Sequence, residues 1–327
     1  MTAHDVMSRM GMFAFVWGKE PPGIEELADL VRHGEALGID SVHVPWHMTL
    51  AASFDWENTY NLDPLVALPY LAARTERIGL ALNPWTVSAH HPFHWAQFLA
   101  SLHAVSGGRA ISGLSKLFAE DDAKVGRCLL EDADADFDLG LQLVSELLAG
   151  RVGSAAAGRW EMAGLALDPA PASPIPTWIS GGDAAAIRRA AAYGDVLKPV
   201  GLTPAEYAGR VRPELDAACA DTGRSVKISS SVVVFVRTPE DSSTLVEEHV
   251  MPLVRKRLHG GEIHDGVLVG TPEECADKIG KLFAAGVDHL LLDTYFHGWE
   301  SLSFAKEQLS RLAELVAPNV VTPGGNS

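Results

Sequence analysis

The chain has 327 residues, which allows two ordinary domains or one barrel of eight β/α units, a fold that needs about 250 residues. Hydrophobic residues make up 47% of the sequence and charged residues 21%, a balance that excludes a chain disordered throughout. With 42 acidic and 26 basic residues, the net charge of −16 argues against nucleic acid or an anionic membrane surface as the main partner.

Short apolar runs alternate with longer amphipathic segments, a pattern typical of β/α units around a parallel sheet. Strands are predicted at residues 12–17, 41–44, 78–82, 110–114, 177–180, 195–200, 227–236 and 287–294. Helices are predicted at residues 24–37, 63–73, 92–105, 136–149, 183–193, 204–220, 239–258, 271–285 and 302–316. Asp63 and Thr271, each followed by a proline, have the side chains expected at helix starts.

Eight strands, each followed by a helical segment, predict a single α/β barrel of the (β/α)8 type with insertions, covering residues 1–317. Residues 151–176 are rich in alanine, glycine and proline and are expected to form a loop or insertion. Residues 318–327 are expected to be a flexible tail. A doubly wound sheet is the alternative, although it usually carries fewer strands in one domain.

The cysteines and the amino terminus bear on the compartment. Cys128, Cys219 and Cys275 are far apart and show neither CxxC nor zinc-ligand spacing, which favours reduced thiols. The first 20 residues hold an apolar patch that is too short for a membrane span and lack the layout of a signal peptide. We therefore expect a cytoplasmic protein that does not enter a membrane.

In such a barrel the chemistry lies at the carboxyl ends of the strands. Aromatic residues, two lysines, histidines and a glycine pair are predicted to converge there: Trp17, Trp46, His47, Asn83, Trp85, Ser115, Lys116, Gly181, Gly182, Lys198 and His297. A flat aromatic ligand with an anionic tail would suit such a rim.

His47 is the first candidate for catalysis. The alternation of side chains along a strand directs His43 and His47 toward the barrel axis, and Val42 and Val44 toward the helices. A histidine at a strand's carboxyl end can act as a general acid or base. The alternative is a structural histidine that is hydrogen-bonded to a loop.

Two further features could bind an anion. Glycines 181 and 182 would let the backbone approach a ligand just before a helix whose first N–H groups attract anions, although a tight turn without a ligand has the same sequence. Lys116 could balance a phosphate as a point charge, although a solvated surface lysine is the alternative.

A histidine group raises the question of a metal. His90, His91 and His94 surround a proline, but a metal site needs converging ligands and supporting residues. We interpret these histidines as residues of a helix amino terminus, and a metal-dependent hydrolase stays the least favoured alternative.

Four passages in this order resemble the luciferase-like monooxygenase family. They are GEALGIDSVHVPWH (34–47), RIGLALNPWTVSAHHPFHWAQFLASLHAVSGGRAISGLS (77–115), PTWISGGDAAAIRRAAAYGDVLKPVG (176–201) and VGTPEECADKIGKLFAAGVDHLLLD (269–293). The resemblance covers roughly residues 10–316. It implies a TIM barrel, often a homodimer, that uses reduced FMN with dioxygen or transfers hydride with coenzyme F420.

The resemblance also implies roles for residues. His47 matches the active-site histidine, and Asn83 matches the segment behind the isoalloxazine ring, where many members hold a non-prolyl cis peptide. Gly181 and Gly182 match the turn near the cofactor phosphate, and Lys116 falls where FMN users often place an arginine. Ser115 and Lys198 complete the expected cofactor set, and Trp17, Trp46 and Trp85 the expected substrate pocket.

The sequence departs from the family pattern at three points. Trp46 replaces an acidic residue before His47, Ser-Lys-Leu follows the fourth strand in place of glycine-rich sequence, and Val-Leu-Lys follows Asp195 in place of Gly-Trp.

The favoured function is a monooxygenase that uses dioxygen and reduced FMN, supplied by a partner flavin reductase, on a small apolar or aromatic substrate. An F420-dependent oxidoreductase and a non-catalytic flavin-binding homologue are the alternatives.

Overall fold

The computed structural model describes residues 1–14, 16–17, 23–46, 59–60, 62–116, 123–124, 126–155, 159–242, 244–252, 264–294 and 302–321. Eight parallel strands close into a barrel, in which each strand pairs with the next along the chain and the last pairs with the first. They are β1 Met10–Phe13, β2 Ser41–Val44, β3 Gly79–Thr86, β4 Ala110–Ser115, β5 Thr177–Ser180, β6 Val196–Lys198, β7 Lys227–Val236 and β8 His289–Asp293. The predicted barrel is confirmed.

Helices follow the strands and cover the outside of the barrel. They are α1 Ile24–Ala36, α2 Pro64–Ala72, α3 Pro92–Val105, α4 Ala133–Leu148, α5 Ala184–Tyr193, α6 Arg212–Thr222, α7 Pro272–Ala284 and α8 Leu302–Arg311. Shorter helical segments are Ala3–Met7, Val87–Ala89, Pro204–Glu206, Tyr207–Val211, Leu245–Val250, Leu312–Val316 and Ala317–Asn319. Among the described residues, no helix has the length and apolar character that crossing a membrane requires.

The first predicted strand needs a correction. The barrel strand begins at Met10 and ends at Phe13, and Val16–Trp17 instead pairs antiparallel with Thr59–Tyr60 outside the barrel. The apolar run therefore divides between two sheets, which an unbroken hydrophobic pattern cannot reveal.

The segments expected to be irregular contain some structure. Gly153–Ala155 and Met162–Leu165 form an antiparallel pair inside the predicted insertion, and Leu268–Gly270 extends the sheet beside the end of β7. Of the expected tail, Val320 is buried, whereas residues 322–327 lie outside the described ranges.

The helix starts follow from local chemistry. Asp63 accepts a hydrogen bond from the Leu65 N–H at 2.8 Å, and Asp183 accepts one from the Ala186 N–H at 2.8 Å. Thr271 and Glu274 form a reciprocal capping box at the start of α7. Each cap satisfies an N–H group that the helix leaves without a partner.

The helix-facing side of the barrel is apolar. A Cβ on Gly34 of α1 would stand 2.6 Å from the Met12 sulfur, so Met12 points out of the barrel against this helix. The alternating residues on this side are fully buried: Met10, Val42, Leu80, Leu82, Leu114, Ile179, Leu197, Ile228, Leu290 and Leu292. Burial of each contributes about 1.5–3 kcal/mol, which makes this layer the main hydrophobic core.

Candidate functional site

The side of the strands that faces the barrel axis carries a group of buried polar side chains beside apolar ones such as Phe13 and Leu291. His43 is fully buried there, as the alternation predicts, with its ring 4.6 Å from the Trp178 ring. Its Nδ1 lies 2.9 Å from Asn83 Nδ2 and its Nε2 lies 3.0 Å from the Ser41 hydroxyl. Burial, together with His289 and Lys198, holds the pKa of His43 well below its usual range, so the imidazole is neutral.

The hydrogen bonds continue to the opposite end of the barrel. Ser41 donates to Asp40 Oδ1 at 2.6 Å, and the same oxygen lies 3.0 Å from His289 Nε2. His289 Nδ1 in turn lies 2.9 Å from the Ser229 hydroxyl. A single polar network therefore connects the half-exposed Asp40, at the amino end of the strands, with His43 in the interior.

Asn83 is the member of this network nearest the carboxyl end. It is fully buried, and its Oδ1 accepts a long hydrogen bond from Ser180 at 3.5 Å. A Cβ on Gly113 of β4 would stand 2.3 Å from Asn83 Cβ, so glycine makes room for the carboxamide. The Asn83–Pro84 peptide is cis. The family resemblance implies a cis bond in this segment, but in many members the residue after the bond is not a proline.

The glycine pair lies beside Asn83. The Gly181 N–H donates to the Lys198 carbonyl at 3.0 Å, which ties the end of β5 to the end of β6. Gly181 has a φ of +127°, a conformation that L-residues rarely adopt. The Gly182 carbonyl accepts from Arg210 Nη1 at 2.7 Å, which fixes the turn that leads into α5.

Lys198 brings a positive charge to the same place. Its side chain is 3% exposed, and its Nζ lies 5.9 Å from the centre of the Phe13 ring. Ser180 and Lys198 are register partners on neighbouring strands. The structure thus brings together four of the predicted cofactor residues, namely Asn83, Gly181, Gly182 and Lys198.

Lys116 and Ser115 lie at the end of β4. Lys116 Nζ forms an ion pair with Asp134 of α4 at 3.1 Å, and Asp134 is also paired with Arg189 at 2.8 Å. Hydrogen bonds from Arg189 and Lys116 lower the pKa of Asp134, so the carboxylate is charged. Lys116, which is predicted to bind a phosphate, therefore already forms an ion pair with a carboxylate. Ser115 donates to the Trp85 carbonyl at 3.3 Å.

The tryptophans expected in the substrate pocket divide between two surroundings. Trp46 and Trp85 are buried against each other, with ring centres 4.7 Å apart, and Trp85 stacks on Trp95 of α3 at 4.5 Å. Trp85 therefore faces the helix layer. The Trp17 side chain and all of His47 lie outside the described ranges, as does the predicted rim residue His297.

The three histidines near α3 have separate roles. His91 Nδ1 accepts from the Phe93 N–H at 3.2 Å and caps the helix, while the His90 ring packs 4.2 Å from the Trp85 ring. Burial lowers the pKa of His90 to about 4, so this ring is neutral. Within the described ranges, no three His, Cys, Asp or Glu side chains assemble into a group that could hold a metal ion.

Sequence reasoning missed most of the axis network. Asp40, Ser41, Ser229 and His289 were not singled out, and neither was the clearance that Gly113 gives to Asn83. A signal was present, because Ser41 and His43 alternate with valines and His289 precedes an apolar run, although Ser229 is followed by two more serines. Polar residues with a period of two beside apolar ones indicate a polar barrel axis.

Known proteins resemble this chain over nearly its whole length. A family model for luciferase-like monooxygenases matches residues 9–264. The F420-dependent glucose-6-phosphate dehydrogenase of Nakamurella multipartita is 24% identical over 335 residues, which cover 93% of this chain and 97% of that protein.

Two solved structures share the fold. The monooxygenase RslO1 from Streptomyces bottropensis superposes with a TM-score of 0.81 at 19% identity, covering 96% of this chain and all of that one. An F420-dependent secondary alcohol dehydrogenase, solved with an F420–acetone adduct, superposes with a TM-score of 0.76 at 17% identity, covering 95% of this chain and 98% of that one.

Proposed function

The chain belongs to the luciferase-like monooxygenase family of oxidoreductases, and from this premise we propose that it is a monooxygenase that uses reduced FMN and dioxygen on a small apolar or aromatic compound. The observation that carries the proposal is the convergence of Asn83, the Gly181–Gly182 turn and Lys198 at the carboxyl ends of neighbouring strands. This end is where barrels of this type hold their chemistry.

The residues at this end fit a flat ring with an anionic tail. The Asn83 amide, held by His43 and Ser180, carries hydrogen-bonding groups, and the buried Lys198 supplies a positive charge. The start of α5 favours an anion through N–H groups other than that of Ala186, which Asp183 caps. The bound FMN would supply the two-electron redox chemistry with dioxygen.

The protein's own contribution is binding, proton handling and exclusion of water. We assign to His47 the role of moving a proton at the substrate, with Trp17 and Trp46 forming an apolar surround and Trp85 packing against Trp46 from the helix layer. Ser115 and Lys116 complete the cofactor set, provided that Lys116 exchanges its ion pair with Asp134 for the cofactor phosphate. A partner reductase would supply the reduced FMN, and we expect a homodimer.

A second candidate is an F420-dependent oxidoreductase that transfers hydride without dioxygen. Two observations favour it: the Nakamurella multipartita relative depends on F420, and Lys116 is already paired with Asp134. A non-catalytic flavin-binding homologue is the remaining outcome.

Titration of the purified full-length chain separates these functions. We expect saturable binding of reduced FMN under anaerobic conditions, with an affinity about tenfold lower in Lys198→Met than in the wild type, since a buried charged contact is lost. Lys227→Ala is the matched control, because Lys227 is an exposed lysine at the amino end of β7. Tight binding of F420 alone would overturn the choice of FMN.

Activity tests the proton role. With reduced FMN and a panel of apolar and aromatic compounds, we expect His47→Ala to reduce substrate-dependent oxygen consumption by about 100-fold or more. Unchanged turnover would remove His47 from the mechanism. If the wild type binds FMN but consumes no oxygen with any compound of the panel, the result would instead support the non-catalytic homologue.

A further inference from the structure

The polar network along the barrel axis joins the proposed cofactor site to the opposite face of the molecule. Its members from one end to the other are Asp40, Ser41, His43 and Asn83, and successive polar atoms are 2.6, 3.0 and 2.9 Å apart. Gly11 of β1 leaves room for it, since a Cβ there would stand 2.6 Å from the Ser41 hydroxyl and 3.2 Å from His43 Nε2.

The positions of the protons follow from the Asp40 end. A carboxylate only accepts hydrogen bonds, and a serine hydroxyl has one proton to donate. Because Ser41 gives that proton to Asp40 at 2.6 Å, the 3.0 Å contact with His43 requires that Nε2–H donates to the serine oxygen. His43 Nδ1 then carries no proton, provided that the ring is neutral.

The surroundings of His43 keep the ring neutral. It is fully buried, and the charged or titratable groups that act on it are His289 from β8 and Lys198 from β6, both of which disfavour a second positive charge. Asp40 reaches it only through Ser41. A proton on Nδ1 would also place two donors face to face at the 2.9 Å contact with Asn83.

An unprotonated Nδ1 determines which way the Asn83 amide points. Its NH₂ group must face His43, and its carbonyl oxygen must face Ser180, which donates to it. An amide has two N–H donors and two acceptor lone pairs, so the contacts with His43 and Ser180 leave one N–H and one lone pair of Asn83 unused. A donor and an acceptor side by side match the amide-like edges of a flavin or deazaflavin ring.

We propose that Asp40, Ser41 and His43 are positioning residues, which act along the barrel axis to fix the orientation of the Asn83 carboxamide at the cofactor site. The inference rests on the proposed function, because that function supplies the cofactor that the Asn83 amide would contact. According to this proposal, Asp40 at the amino face of the barrel influences the geometry of a site at the carboxyl face.

Cofactor titration of the full-length chain tests the proposal. In Ser41→Ala the His43 tautomer is no longer fixed, and we expect the affinity for reduced FMN, or for F420 if that is the cofactor bound, to fall about tenfold. Ser112→Ala is the matched control, because the Ser112 hydroxyl is buried in β4 and forms no hydrogen bond with any residue that the structure describes. Equal affinities of Ser41→Ala and wild type would overturn the proposal.

A histidine variant separates positioning from mere packing. The amide oxygen of His43→Asn can accept from Asn83 where Nδ1 does, whereas His43→Leu offers no acceptor. We expect His43→Asn to bind within a few-fold of the wild type at neutral pH and His43→Leu to bind about tenfold more weakly. Equal affinities of the two variants would contradict the proposed role of His43.

If the wild type binds neither FMN nor F420, the proposed function fails, but the positioning role can still be tested. The test then needs a measurement that does not involve a cofactor. In ¹⁵N spectra of labelled histidine, we expect the His43 signal, assigned by its loss in His43→Asn, to show a bare Nδ1 and a protonated Nε2 at neutral pH. Ser41→Ala should give a mixture of tautomers. A protonated Nδ1 in the wild type, or a single unchanged tautomer in Ser41→Ala, would overturn the inference.

Discussion

The two sides of the same eight strands are built from opposite chemistry. Toward the helices, most of the buried side chains are those of methionine, valine, leucine and isoleucine, as Met12 is against α1. Toward the axis, Phe13, Trp178 and Leu291 lie among polar side chains, and hydrogen bonds connect His43, Asn83 and His289 through serines and Asp40. The outer side can supply stability, which leaves the inner side free to be polar.

Packing also differs between the two sides. The outer side is filled by large side chains, whereas the inner side depends on glycines that make room for a few polar groups. A Cβ on Gly113 would overlap Asn83, and a Cβ on Gly11 would press on Ser41 and His43. A change on the outer side should therefore affect stability, and a change on the inner side should also affect binding.

The largest effect on stability is expected on the outer side. Met12→Ala should lower the free energy of unfolding by about 2–5 kcal/mol, because it removes a fully buried side chain and leaves a cavity. Urea denaturation measures this loss, and Val66→Ala, at a side chain that is 68% exposed, is the control expected to change little. If folded Met12→Ala also bound the cofactor tenfold more weakly, the two sides would not be separable.

The next effect combines both properties. Gly113→Ala should cost about 1–3 kcal/mol through overpacking, and it should also weaken cofactor binding because Asn83 has to move. Gly209→Ala is the matched control, since a Cβ there would meet no atom within 4 Å. Normal cofactor affinity in folded Gly113→Ala would argue that the position of Asn83 does not matter for binding.

The difference between the sides explains what could be predicted from the sequence. The outer residues repeat a period-two apolar pattern that also fixes strand number and order, so β2, β5 and β7 have the predicted bounds or lie within them. The antiparallel pair of Val16–Trp17 with Thr59–Tyr60 was missed, because its pairing depends on a partner more than 40 residues away.

The inner residues follow a weaker pattern, which is visible in the alternation of Ser41 and His43 with valines but not in every strand. Asn83, Gly181, Gly182 and Lys198 could be predicted from their positions at strand ends. The link between Asp40 and Asn83 needs the angle and spacing of the two neighbouring strands β2 and β3, which no sequence pattern contains. Lys116 shows the same limit, since its partner Asp134 comes from a helix whose approach to β4 is a matter of tertiary packing.

The Glu35 carboxylate is a polar group that is expected to contribute to stability and not to cofactor binding. Partial burial acts to raise the pKa of Glu35, but hydrogen bonds from the backbone N–H groups of Arg77, Ile78 and Glu76 outweigh it and lower this pKa. Glu35→Ala should cost about 1–2 kcal/mol at neutral pH, a modest value since the contacts are partly exposed. Glu161→Ala, at an exposed side chain, is the control.

The pH dependence of this contribution has a defined sign. Because the pKa of Glu35 is lower in the folded state, its stabilisation is present above the pKa of the unfolded chain and is lost as the pH falls through the folded value. The difference in unfolding free energy between Glu35→Ala and the wild type should therefore shrink below about pH 4. A difference that stays constant in acid would mean that the charge is not responsible.

The smallest effect concerns the polar pair on the outer side. The fully buried Tyr207 hydroxyl donates to Ser230 at 2.8 Å, and burial raises the pKa of Tyr207 to about 12, so the phenol keeps its proton. Tyr207→Phe should cost about 1 kcal/mol, because it leaves the serine oxygen without its donor, whereas adding Ser230→Ala should recover part of that loss. Urea denaturation of both single variants and the double variant measures the coupling.

Cofactor affinity should stay unchanged in all three variants, since the Tyr207–Ser230 pair lies between the barrel and its helices. A loss of affinity would show that polar groups on both sides of the strands support the site.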